Sequence, residues 1–135
     1  MFEGKHADIS EKVIGAFYTV YNTMGNGFRE HVYENALCYE LRKAGLQPEQ
    51  QQAVNVYYDG IRVGEYIADI IVNKVIILEL KAVSQITDEH IAQLLSYLKA
   101  TPIEVGYLLN FGPQAQYKRK ILDNDRKGSL VWTKP

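Results

Sequence analysis

The sequence predicts an α/β domain: a central mixed sheet flanked by helices, built from a three-stranded meander, a crossover helix and a further strand. Three observations lead there. Apolar residues recur at helical spacing from Ile9 to Ala44, and from Gln52 the pattern becomes strand-like. Asp59-Gly60 and Asn73-Lys74 then punctuate a long aliphatic run as tight reversals. Finally "TDEHIAQLLSYLKAT" separates "VIILELKAV" from "EVGYLLNFG", and a helix of that length permits a parallel crossover.

The elements follow in order. "ISEKVIGAFYTVYNTMG" is a first helix, with Ile9, Val13, Phe17, Val20, Tyr21 and Met24 on one stripe, Asp8 or Ser10 as cap and Gly25 as stop. After the "GNG" break, "REHVYENALCYELRKAGL" is a second helix that ends at Gly45. "QAVNVYYDGIRVGEYIADIIV" is a hairpin, and "VIILELKAV" completes the meander. The third helix is capped by Thr87 or Asp88, faces the core with Ile91, Leu94, Leu95 and Leu98, and closes at Pro102. "EVGYLLNFG" is a buried strand. "QYKRKILDND" fits either a loop or a short helix, and "SLVWT" is expected as a last edge strand.

With 135 residues and neither repeat nor linker, one domain over 1–135 is expected. Its 47% hydrophobic and 23% charged residues are those of an ordinary globular protein. The single cysteine, Cys38, lies on an apolar stripe and is expected as a buried reduced thiol in a cytoplasmic chain. No stretch suits a signal peptide or a membrane span. A net charge of −1 argues against holding nucleic acid by bulk electrostatics, yet leaves room for an enzyme that binds a phosphodiester through a divalent cation.

The run "IADIIVNKVIILELKAV" carries the main clue, because Asp69, Glu79 and Lys81 interrupt two strands otherwise buried on both faces. A two-residue loop at Asn73-Lys74 would send Asp69 and Glu79 to opposite faces. A three-residue loop, with one residue in the left-handed region, pairs Val72 with Ile76 and sets Asp69 opposite Glu79. Two carboxylates on one face can share a cation, so the three-residue loop is expected. Lys81, two residues beyond Glu79, shares that face. Two hard oxygen ligands suit Mg²⁺ or Mn²⁺, and a neighbouring ammonium can orient water or stabilise developing phosphate charge. That constellation serves metal-assisted phosphodiester hydrolysis. The competing explanation of "ELK" is a strand simply emerging into solvent.

"ADIIVNKVIILELK" resembles the D-x(n)-ExK signature of the PD-(D/E)xK nuclease superfamily, with Ala68 where that name carries proline. Gly27, Glu30 and Tyr33 form G-x-x-E-x-x-Y, which is similar to the GxxExxY branch; "HIAQLLSYLKAT", "YLLNFG" and "YKRKI" extend the likeness over nearly the whole chain. The resemblance implies a restriction-endonuclease-like fold and a metal-dependent nuclease, with DNA ahead of RNA as substrate. It implies Glu30, Asp69, Glu79 and the Leu80 carbonyl as metal ligands and Lys81 as the residue that positions the attacking water. It also puts Gln93 and Tyr97, at i and i+4 on one helical face, beside the scissile strand. Each has a plainer alternative: a helix-dipole partner for Glu30, a polar helix edge for Gln93 and Tyr97, and packing for Tyr33. His31 is expected at the surface. Lys118, Arg119 and Lys120 could contact phosphates or form a solvated face. A homodimer is compatible with so small a domain. The competing function is a non-catalytic binding or assembly module that retains the fold.

Overall fold

A computed structural model describes residues 4–135. Helices α1 (Ala7–Met24) and α2 (Glu30–Lys43) precede strands β1 (Pro48–Tyr58), β2 (Ile61–Val72) and β3 (Ile76–Lys81). Helix α3 (Asp88–Ala100) leads to β4 (Val105–Phe111) and β5 (Ala115–Ile121), followed by 3₁₀ turns at Asn124–Arg126 and Val131–Thr133. The five strands lie in chain order, antiparallel throughout except β3 and β4, which α3 joins in parallel. This is the expected mixed sheet flanked by helices, consistent with a restriction-endonuclease-like fold.

The period-two pattern of the strands divides the core. Leu78, Leu80, Tyr107 and Leu109 pack with Val13, Phe17, Leu37 and Leu41 of α1 and α2. Ile77 and Leu108 point the other way, to Leu94 and Leu98 of α3. Every residue of β4 is buried, as a central strand with helices on both faces requires. Cys38 is buried and free.

The turns behave as their residues dictate. Asp59 and Gly60 are both left-handed, the type I′ geometry that follows strand twist. Asn73 and Lys74 are left-handed too, and the Val75 N–H donates to the Val72 carbonyl at 3.0 Å. The ladder nevertheless pairs Val72 with Ile76, so Val75 is an inserted residue. The three-residue register therefore forms, with two left-handed residues rather than one. Thr87 caps α3 reciprocally: its Oγ1 accepts from the His90 N–H and the His90 Nδ1 accepts from the Thr87 N–H.

Three sequence expectations are corrected. Helix α1 starts at Ala7 after a left-handed His6, so neither Asp8 nor Ser10 caps it; Asp8 lies in the first turn and Ser10 is buried. "QYKRKI" is neither loop nor helix but β5, templated by antiparallel pairing from Phe111↔Ala115 to Val105↔Ile121. Its lysines and arginine read as polar because it is an edge strand. "SLVWT" is not a strand: Gly128 and Leu130 take positive φ, and Thr133 N–H turns back to the Leu130 carbonyl. The tail is fastened to the end of α3 instead. Buried Lys127 donates from Nζ to the Thr101 and Ile103 carbonyls at 2.8 and 2.7 Å, and the Trp132 indole donates to the Lys99 carbonyl at 2.9 Å.

One close approach fixes the strand ends near the acidic residues. A Cβ on Gly112 would run into the Val83 carbonyl, while Asn110, fully buried, exchanges two hydrogen bonds with the Val83 backbone at 3.0 and 2.9 Å. Gly112→Ala should therefore destabilise the fold by about 3 kcal/mol. The urea midpoint checks this; an unchanged midpoint would show that the segment after β3 yields freely.

Candidate active site

Strands β2 and β3 part just where the acids sit. Their ladder ends at Ile70↔Leu78, with Asp69 and Glu79 next in line. Side chains replace the missing backbone pairing: Glu79 Oε1 accepts from the Asp69 N–H at 3.3 Å and Asp69 Oδ2 accepts from the Leu80 N–H at 2.8 Å. The two carboxyls thus converge, as the three-residue loop requires. On β1, Gln51 takes a left-handed conformation between the pairs Gln50↔Ile70 and Gln52↔Ala68, directly beside Asp69. A non-glycine residue held there costs about 1 kcal/mol or more, and such strain concentrates at functional sites.

Burial sets the electrostatics. Glu79 is 4% exposed. Burial first, and then the Asp69 charge, push its carboxyl up to about 9; Lys81 pulls it back in part. Tyr97 is pushed up to about 12, chiefly by burial and then by Glu79 and Asp69, so it stays a neutral phenol at physiological pH. Lys81 is half-buried, and its Nζ donates to Gln93 Oε1 at 3.4 Å. Asp69, Glu79, Lys81, Gln93 and Tyr97 therefore occupy one locus on the α3 side of the sheet. Leu80 lies between them in the chain, with its side chain in the opposite core.

Glu30 approaches from the other side. Its Oε2 accepts from the Ala82 N–H at 3.3 Å, securing the end of β3. Among the described residues, no three acidic, histidine or cysteine side chains cluster tightly enough to enclose a metal, so Glu30 is not gathered with the Asp69–Glu79 pair. Tyr33 packs: its hydroxyl donates to the Gly25 carbonyl at 2.6 Å and accepts from the Phe28 N–H, and its ring stacks on Phe111 at 4.4 Å. His31 is exposed.

The basic triplet is divided by the strand it occupies. Arg119 faces α1 and donates to the Lys5 carbonyl, whereas Lys118 and Lys120 face α3. Lys118 pairs with Leu108, which pairs with Glu79, so Lys118 is in the row of Glu79, two strands or about 10 Å away.

Sequence reasoning missed several supports. Buried Glu34 accepts from Gln50 and Gln51 at 2.7 and 2.8 Å, bracing the kink beside Asp69. Its position four residues after Glu30, on the same helical face, was an available signal. Asn110 was another, a lone amide inside "YLLNF".

Set against known protein families, the chain matches the PD-(D/E)XK nuclease superfamily over residues 7–121. It belongs to that superfamily. No curated protein and no solved structure matches it. No helix among the described residues is long and apolar enough to cross a membrane.

Proposed function

We propose that this protein is a divalent-cation-dependent nuclease of the GxxExxY branch, hydrolysing phosphodiester bonds in nucleic acid, with DNA as the first substrate to test. The observation that carries the reading is the meeting of Asp69 and Glu79 where β2 and β3 separate, with Lys81 on the same face.

The donors fit a hard cation. A buried carboxyl whose ionisation its neighbour Asp69 opposes is what a divalent charge compensates, and the Leu80 carbonyl supplies a third oxygen in the same peptide stretch. Bound there, Mg²⁺ or Mn²⁺ would polarise the phosphate and lower the pKa of water. Lys81 would position that water and offset charge on the phosphorus oxygens as one P–O ester bond is exchanged for P–OH. Gln93 holds the Lys81 ammonium, and neutral Tyr97 offers a hydroxyl to the scissile strand. Glu30 serves as an outer carboxylate that fixes the end of β3. Lys118 and Lys120 would meet phosphates on the α3 face, with Arg119 turned away.

The test is cleavage of single- and double-stranded DNA and RNA with Mg²⁺ or Mn²⁺, beside calorimetric titration of the same cations. Wild type should cleave and bind; Asp69→Ala should do neither. Cation binding without cleavage of any substrate would favour the non-catalytic module. Equal cleavage by wild type and Asp69→Ala would identify a contaminant.

A further inference from the structure

An apolar groove of about 630 Å³ runs alongside the candidate active site, between α3, the far part of the β1–β2 hairpin and the C-terminal tail. The hairpin creates it by outrunning the sheet: β2 pairs with β3 only as far as Ile70, but with β1 as far as Ile61. Four aromatic residues stand among its aliphatic walls, Tyr57, Tyr58 and Tyr66 from the hairpin and Trp132 from the tail. Tyr66 joins the groove to the catalytic locus, because its ring packs on Tyr97 with centroids 5.0 Å apart. At the other end Lys99 holds its ammonium 5.2 Å from the Trp132 ring centre while its carbonyl fixes the indole N–H.

We propose that this groove binds the unpaired bases of a single-stranded nucleic acid and leads that strand to the acids at Asp69 and Glu79. The proposal rests on the nuclease reading above and narrows its substrate. Flat aromatic side chains give bases a sequence-tolerant stacking surface, and a cation beside them can meet the backbone. A duplex is a poor match. It hides its base faces and presents phosphates outward, so it calls for a basic wall, whereas among the described residues Lys99 is the one charged side chain lining the groove. The hollow is also of the size that takes small planar groups rather than a flat patch for a second copy. Tyr58 is 75% exposed at the rim of the groove, with its ring open to a stacking partner.

The chain's single tryptophan lies in the groove, which supplies a direct readout. In chelator, so that nothing is cut, a twelve-residue oligodeoxythymidine or oligouridine should quench Trp132 fluorescence saturably, and a hairpin duplex of equal length should not. The two oligomers tell deoxyribose from ribose substrates. Tyr58→Ser should weaken binding about tenfold, Tyr58→Phe should restore it, and with cation present Tyr58→Ser should raise KM with little change in kcat. Cleavage without any quenching, or equal quenching by duplex, overturns the groove while leaving the nuclease reading intact. A concentration-dependent blue shift of Trp132 with dimer formation overturns it in favour of a second copy. Saturable quenching without cleavage under any cation keeps the groove and rejects the nuclease.

Discussion

Glu79→Gln should abolish cleavage and, with no divalent cation present, make the protein more stable. The side chain is buried against Asp69, and the amide keeps an oxygen to accept from the Asp69 N–H while its N–H₂ gives Asp69 a permanent donor in place of the titrating proton. What it removes is the titration: at pH 8 the folded protein keeps a proton on Glu79 that the unfolded chain has released, and an amide needs none. At pH 8 the removed penalty amounts to about 2 kcal/mol, while kcat/KM should fall on the order of 10³-fold or more. Thermal melting in chelator and a single-turnover cleavage assay measure the two effects.

The sign of the pH dependence follows from the same group. Glu79 in the folded protein is pushed from 4.5 up to about 9. Between those values the folded state retains a proton that the unfolded chain releases, so stability should decline as pH rises through the window. The contribution is fully present below the unfolded value and is lost towards pH 9. Glu79→Gln should remove this slope. A divalent cation should reverse the ranking, because it stabilises wild type by mass action and finds only one carboxylate in the variant. A Gln variant less stable than wild type in chelator at pH 8 would mean that burial and Asp69 do not oppose the ionisation of Glu79.

The legible parts of the structure were those written in local chemistry. Helical stripes, the Asp59-Gly60 turn and the Thr87 cap each follow from a few adjacent residues. The pairing of Asp69 with Glu79 was legible for a different reason: charge decided a register that hydrophobicity left open. What escaped depended on partners distant in sequence. β5 looks polar until β4 lies beside it, and "SLVWT" looks extended until Leu130 turns left-handed and Trp132 finds the end of α3. Lys118, Arg119 and Lys120 form a cluster in sequence, but a strand sends neighbours to opposite faces and so divides them. Glu30 illustrates the remaining gap. Its helix brings it to the correct end of β3, yet the hydrogen bond it makes there goes to a backbone N–H that no motif displays.

Lys81→Met should leave the fold intact and reduce cleavage by about 10²- to 10³-fold, the range for losing one preorganised charge stabiliser. Stability should change by less than about 1 kcal/mol, since the half-buried ammonium makes a long hydrogen bond to the Gln93 amide oxygen at 3.4 Å, and methionine keeps most of the apolar stem. The substitution has a second effect on its neighbour. Lys81 draws the Glu79 carboxyl downward against burial and Asp69, so its removal leaves Glu79 harder to ionise and the site slower to accept a cation near pH 7. The two losses separate by pH. Raising the pH from 7 to 9 should recover cation affinity in Lys81→Met, as calorimetric titration with Mn²⁺ would show. The cleavage rate at saturating cation should stay low at both pH values. Lys81→Arg, which retains the positive charge on a different head group, should keep the affinity at pH 7 and recover only part of the rate. If saturating cation at pH 9 restored full activity to Lys81→Met, the ammonium would act solely by holding Glu79 ionised, and positioning of the attacking water would pass to other groups in the site.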